Sequence, residues 1–354
     1  MNKKIRALAM TTLCSLCISP SIVFADATDN TEPKKTKLLK RLTIVADQET
    51  ETKKTGSATL ITPEVLAESK TGVDDIHRIL RQVPGVNIQE EDGYGLRPNI
   101  GFRGTPVERN AKITTMEDGV LTAPAAYTAP AAYYFPTAGR MHAIEVTKGP
   151  GSIKYGPQTV GGSLNLLSTP IPEDYTLSTK FTVGSDGYKQ GHIVGGQMFT
   201  YGGFGIETYQ AESDGFKNVD STNRQESGFD VKDLVFKGQI NTDRRDAGTY
   251  HQLSLKMNVY DQVSDETYLG LTREDFDRDP KRRYAASQID NIKVEHDAIQ
   301  LQYYGEISEA LDVTVTAYSQ ETKRNWYKLH SVGGRSLGAV LDNPANFADE
   351  LAWL

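Results

Sequence analysis

Seven stretches of this chain alternate apolar and polar residues with a period of two. They lie near 175–184, 189–200, 203–213, 230–240, 250–261, 295–307 and 310–320. That period predicts strands with one apolar face. In the clearest, Leu253, Leu255, Met257 and Val259 share one face and Gln252, Ser254, Lys256 and Asn258 the other. Val313, Val315 and Ala317 repeat the pattern against Thr314, Thr316 and Tyr318. Upstream the period changes. Val73, Ile76, Ile79, Leu80 and Val83 recur at helical spacing, which predicts a short helix over 73–83, ended by Pro84-Gly85 and followed by a strand from Val86. His77 reads as a solvated residue on that helix. Met116-Glu117-Asp118-Gly119-Val120 predicts a tight Asp-Gly hairpin turn, and Ile144–Val146 a short strand.

Alternation does not separate a soluble sandwich from a membrane barrel, because both have one polar face. The connections do. From the second onward they run short (Gly202-Gly203), long (about 212–229), short (241–249), long (262–294), short (308–310) and long (from Glu321). Outer-membrane barrels have short turns on one side and long loops on the other. Seven is an odd number of strands, and Ala352-Trp353-Leu354 does not read as a closing strand, so the sequence reads as a fragment.

Composition sharpens this. A basic start (Lys3, Lys4, Arg6), an apolar stretch from Ala7 to about Val23 and the ending Val23-Phe24-Ala25 predict a signal peptide over 1–25, cut before Asp26. Its apolar run is broken by Thr11, Thr12, Ser15, Ser19 and Pro20, which argues against a spanning helix. Both cysteines, Cys14 and Cys17, lie within it, so the mature chain is expected to have no disulfide, thiol nucleophile or cysteine metal site. Losing Lys3, Lys4 and Arg6 with no acid takes the formal charge from -7 to -10, a poor match to nucleic acid. No other segment approaches a spanning helix, so any membrane crossing falls to strands. The six histidines are scattered and show no His-Glu-x-x-His, and the acidic pairs Asp74-Asp75 and Glu90-Glu91 are not placed as an acid/base pair.

The stretch 100–165 holds Ile100-Gly101-Phe102-Arg103-Gly104-Thr105, Met116-Glu117-Asp118-Gly119-Val120, Ile144-Glu145-Val146-Thr147-Lys148-Gly149-Pro150, Lys154-Tyr155-Gly156-Pro157-Gln158 and Val160-Gly161-Gly162-Ser163-Leu164-Asn165. In this order and spacing it resembles the plug domain of TonB-dependent outer-membrane receptors, closest to the ferric dicitrate receptor subgroup. The resemblance covers roughly Leu42 to Pro172 closely and the rest in architecture. It implies an α+β plug domain followed by an antiparallel transmembrane β-barrel, of twenty-two strands in the family, with about the first seven present. The organisation is then a signal peptide (1–25), a periplasmic tail (26–54), the plug (55–172) and a truncated barrel (173–354).

The resemblance also assigns roles. Leu42, Thr43, Ile44, Val45 and Ala46 would be the TonB box, an extended peptide that adds as a strand to the energising protein. Arg103 and Lys148 would lock the plug to barrel glutamates, with lysine standing where the family has arginine and losing its bidentate fork. The Pro-rich segment 121–137 repeats Ala-Pro-Ala-Ala-Tyr and suits an apical recognition loop. Tyr127 matches a ligand-touching tyrosine, Ala129 stands at that loop's glutamine, and Tyr133 and Tyr134 are further candidates. An anionic ferric chelate needs cations. Arg97, Arg109 and Lys112 are candidates in the plug, and Arg273, Arg278, Lys281, Arg282 and Arg283 in the 262–294 loop.

The implied activity is active uptake of a ferric chelate, citrate-like or another siderophore, across the Gram-negative outer membrane after Sec-dependent export. The expected partners are TonB with its inner-membrane energising complex, the ferric chelate as substrate, and outer-membrane lipid. No catalytic residue, resident cofactor or metal is expected. Asp26 to Leu42 leaves no room for a signalling domain. A passive porin or adhesin barrel, a cobalamin receptor and a secreted β-rich enzyme remain the alternatives; the plug and box argue against the first, and no catalytic constellation supports the last.

Overall fold

The computed structural model describes residues 57–354, apart from 71, 123–128, 157–158, 222–226, 244–248, 266–268 and 309–310. The first unit mixes helix and sheet. β1 (Ser57–Ile61) leads to α1 (Pro63–Ser69), a helix the sequence pattern does not reveal, started by a proline in its first turn. α2 spans only Ile76–Leu80, shorter than the predicted 73–83. The Asp75 side chain caps it by accepting from His77 N at 2.8 Å, and Val83 N turns back to Leu80 O before Pro84. His77 is fully buried, against the expectation of a solvated residue. The reason is local: the 92–97 loop overlies the helix start so closely that a Cβ on Gly95 would sit 2.3 Å from Asp75 Oδ1.

β2 (Val86–Gln89) pairs with β3 (Asn99–Phe102). β4 (Ile113–Glu117), β5 (Val120–Leu121), β6 (Met141–Lys148) and β7 (Gly162–Ser168) join β1 in a sheet of order β1-β6-β7-β4-β5. The predicted hairpin turn links β4 and β5, with Asp118 (φ 49) and Gly119 (φ 78) both left-handed. Leu66, Ile79, Leu80, Phe102, Ile144 and Leu164 fill the core between helices and sheet.

A seven-stranded antiparallel meander follows: β8 (Thr176–Val183), β9 (Lys189–Phe199) and β10 (Gly202–Ser213), then, after the short β11 (Asn218–Val219), β12 (Phe229–Asn241) and β13 (Tyr250–Ser264). The next connection carries α3 (Arg273–Arg278) and β14 (Arg282–Arg283), which pairs with β11. β15 (Asn291–Ser308) and β16 (Leu311–Tyr327) complete the sheet. All seven predicted strands are present. β15 and β16 run further than predicted toward the long connections. Their outward residues beyond the predicted ends include Lys293, Glu321, Lys323 and Asn325, so the apolar half of the alternation fades while the pairing continues.

Each strand turns a polar side chain onto the first unit. Lys180 donates to Lys70 O, Gln190 to Asp74 Oδ2 and Gln320 to Leu121 O, while Glu207 accepts from Thr169. Asp233, Lys256 and His296 meet Thr137, Asp118 and Tyr134. The other face exposes Leu177, Phe181, Phe204, Phe236, Ile299 and Val315. Such a continuous apolar face is costly in water and suits lipid. No helix among the described residues is long and apolar enough to cross a membrane.

Candidate functional site

Two charged clusters join the inner unit to the strands. The deeper one centres on Arg140, which enters the buried start of β6 and is fully enclosed. Its Nε donates to Asp233 Oδ2 of β12 at 2.5 Å. Nη1 and Nη2 donate to the two oxygens of Glu117 at 2.7 and 2.9 Å, and Nη2 also reaches Tyr134 Oη at 3.1 Å. Lys256 of β13 bridges Glu117 and Asp118, at 2.5 Å from the latter. Lys237 of β12 donates to Ser168 Oγ and Thr169 O. Burial alone would raise the Glu117 and Asp118 carboxyls. Arg140 and Lys256 reverse this at Glu117, and Lys256 and Lys237 at Asp118, so both titrate below the usual carboxylate range. Asp233 keeps two further donors, Asn258 Nδ2 at 2.6 Å and Thr137 Oγ1 at 2.8 Å.

The second cluster lies at the end of the long connections. Arg109 makes two hydrogen bonds to the Glu91 carboxylate, and its guanidinium lies 5.3 Å from the Trp326 ring centroid. Arg97 is 4% exposed; its Nε is 4.0 Å from Glu91 Oε1, and its Nε and Nη1 make no hydrogen bond. Asp92 accepts from the backbone N–H groups of Tyr94, Gly95 and Arg97, folding the loop that presents Arg97. Lys217 joins from the 214–228 connection. Burial and then Arg283 lower its pKa to about 7. Lys328 is also lowered, by burial and then by Arg109. Arg324 stands 4.2 Å from the Tyr133 ring and also depresses Lys328. Six cations thus share this end with Glu91 and Asp92. Like charges held this close destabilise one another, and an incoming anion relieves them.

The expected site residues divide accordingly. Arg97 and Arg109 meet in the second cluster, with Tyr133 at its margin. Tyr134 does not belong there. It is 3% exposed, stacks on His296 with centroids 3.8 Å apart and touches Arg140, so it is part of the deeper cluster. The 133–134 pair alternates, and only one of the two can face the cations. Arg103 and Lys148 come together on a different face. Lys148 Nζ donates to Pro84 O at 2.7 Å, and its pKa is lowered by burial and then by Arg103. Among the described residues neither forms an ion pair; the charged contacts from the inner unit to the strands include Arg140 with Asp233, Glu117 and Asp118 with Lys256, and Asp74 with Lys180, none of which the sequence reading assigned. Of the loop cations, Arg273 and Arg278 pair within their own connection, with Asp277 and Glu274, Arg282 pairs across to Asp220 of the 214–228 connection, and Arg283 acts on Lys217. Lys112 is exposed. Leu42, Thr43, Ile44, Val45, Ala46 and Tyr127 lie outside the described residues.

Comparison with known proteins matches residues 50–163 to the TonB-dependent Receptor Plug Domain. The chain is 28% identical over 158 residues to the vitamin B12 transporter BtuB of Photobacterium profundum, covering 40% of this chain and 25% of that protein. It is 25% identical over 177 residues to BtuB of Vibrio vulnificus, covering 50% of this chain and 26% of the other. Among solved structures it resembles the unliganded ferric citrate transporter FecA, with a TM-score of 0.64 at 22% identity over 80% of this chain and 42% of that one. It also resembles the ferric-catecholate import receptor Fiu from E. coli K12, with a TM-score of 0.59 at 14% identity over 77% and 39%. These likenesses to solved structures establish the fold. The chain spans about a quarter of the length of the curated relatives and about two fifths of the solved chains. All four are named as transporters or receptors.

Proposed function

We propose that the protein, whose residues 50–163 match the TonB-dependent receptor plug domain and are followed by a seven-stranded antiparallel sheet, is an outer-membrane receptor for energised uptake of an anionic ferric chelate. The observation that carries the reading is the second charged cluster. Arg97, Arg109, Lys217, Arg283, Arg324 and Lys328 converge from plug, wall and long connections on one end of the molecule, where Glu91 and Asp92 stand among them and Asp279 acts on Arg283. Citrate-type and other carboxylate or catecholate siderophores present the oxygen acceptors such cations bind. This charge favours an anionic chelate over cobalamin, despite the names of the curated relatives.

Transport involves no covalent step in this reading. The chelate binds the cations from outside. The box at Leu42–Ala46 offers TonB an extended strand, and the inner-membrane complex supplies the energy. The chain has followed its signal peptide through the Sec route, and its apolar outer face meets outer-membrane lipid. All seven strands pack polar side chains on the inner unit, which argues against a passive porin. The test is growth of a receptor knockout, complemented with this gene, on a panel of ferric chelates as sole iron source, together with binding titrations of each chelate. Rescue by an anionic chelate, abolished by Arg109→Ala, supports the proposal; rescue only by a neutral or cationic substrate overturns it.

A further inference from the structure

Asp75, His77 and Glu90 converge where α2 begins and β2 ends, and one potential ligand atom of each lies within 4.8 Å of the other two. His77 is fully buried, its Nδ1 3.1 Å from Asp75 Oδ1, yet neither ring nitrogen makes a hydrogen bond. A buried imidazole left in that state is unusual, since native interiors pair nearly all such atoms. Glu90 is held by Arg81, but the two side chains are 40% and 62% exposed, and a pair so exposed exchanges readily.

We propose that these three residues bind a divalent transition-metal ion of the zinc type, with water completing a tetrahedron. Imidazole nitrogen and carboxylate oxygen are ligands this ion accepts. Two carboxylates cancel its charge, which the buried position of His77 demands. Asp75 Oδ1 already accepts from His77 N, so it is oriented before the ion arrives. Glu90 exchanges the Arg81 guanidinium for the ion. The 92–97 loop, whose Gly95 packs on Asp75, carries Arg97 toward the cation cluster, so the ion would brace that loop from beneath. The site is separate from the chelate-binding cluster, and its test does not depend on which chelate is transported.

The experiment titrates Zn2+ into the purified full-length receptor against a chromophoric competitor chelator. The wild type should bind one ion per chain. Asp75→Asn keeps the helix cap, since asparagine caps as well as aspartate, but removes an anionic ligand. It should weaken binding by about 100-fold, the upper end of what even an outer-shell loss costs a metal site. Glu90→Gln should act likewise. Arg81→Ala should tighten binding by releasing Glu90, a gain that a purely structural role for the trio does not produce. His77→Asn should abolish binding; should that variant not fold, the two carboxylate variants decide. No stoichiometric uptake by the wild type, or wild-type affinity in both Asp75→Asn and Glu90→Gln, overturns the proposal.

Discussion

Replacing Arg140 by methionine should release the plug from the wall. The guanidinium is fully buried and makes four hydrogen bonds, one to Asp233, two to Glu117 and one to Tyr134. Methionine fills much of the volume and supplies none. Adding four charge-assisted bonds would overstate the loss, because Asp233 retains Asn258 and Thr137 and Glu117 retains Lys256. The governing effect is two carboxylates left short of a cation in a dry interface, worth about 3–5 kcal/mol. Urea unfolding of the purified receptor, with hydrogen exchange read at β4, β5 and β6, should show that loss in the plug while the strands keep their protection. Adding Asp233→Asn removes the stranded charge, so the double variant should be more stable than the summed single effects by about 0.5–3 kcal/mol. On the acid side the carboxyls divide: Asp233, raised by burial, gains stability on protonation, whereas Glu117 and Asp118 lose it. The Glu117 and Asp118 carboxyls are depressed below their unfolded values of about 4.3 and 3.9, so their stabilisation is complete above those values and is lost as the pH falls through the folded ones. Plug stability in the wild type should therefore fall steeply below about pH 4. An unchanged urea midpoint in Arg140→Met, or a strictly additive cycle with Asp233→Asn, refutes the argument.

Four further outcomes are expected. Ile44→Pro removes a backbone donor from the box, so uptake should collapse while chelate affinity holds; normal uptake removes 42–46 from that role. The Lys217 ammonium, at about 7, is charged below that pH and neutral above it, so affinity for an anionic chelate should fall as pH rises from 6 to 8, and Lys217→Arg should flatten the profile; identical profiles in the two proteins exclude Lys217. Gly139→Ala places a Cβ 2.1 Å from the Tyr209 ring and 2.6 Å from Asp74, which should cost about 1–3 kcal/mol of plug stability in the same urea assay; a wild-type midpoint contradicts the packing. Tyr127→Ala should weaken chelate binding by about 1–3 kcal/mol in titrations if the 121–137 loop touches ligand, and an unchanged Kd assigns the loop to packing.

The strands were legible because their two faces meet different surroundings. Leu253, Leu255 and Met257 face outward and Lys256 and Asn258 face the plug, so the period of two is written into the residues. The same contrast vanishes at Lys293, Glu321 and Lys323, and there the predicted ends fell short. The deeper cluster was harder to see. Arg140 and Asp233 are 93 residues apart, and Glu117-Asp118 serve a hairpin turn as well as two ion pairs, so the turn signal concealed the charges. One clue was present: Asp233, Lys237 and Lys256 are charges on strand faces turned away from the apolar residues, where no water-exposed loop explains them. His77 was misread because helical spacing identifies a stripe, whereas the burial of a five-residue helix depends on what the 92–97 loop lays over it.

β1 is hydrogen-bonded along one edge only, to β6, and of its five residues only Ile61 is buried. Within that sheet the charged contacts to the wall belong to Arg140 ahead of β6 and to Glu117 and Asp118 at the end of β4; outside it Asp74 pairs with Lys180. A tensile load entering at Ser57 therefore reaches the most compliant element first and breaks the Ser57–Lys148 pairing before any ion pair is strained. The sheet is graded in mechanical strength, soft where the chain enters and stiff where it grips the wall. In the proposed transport cycle such a load would lengthen the domain from one margin as a tether while its charged half stays anchored, and on unloading that half would be the template on which β1 re-forms.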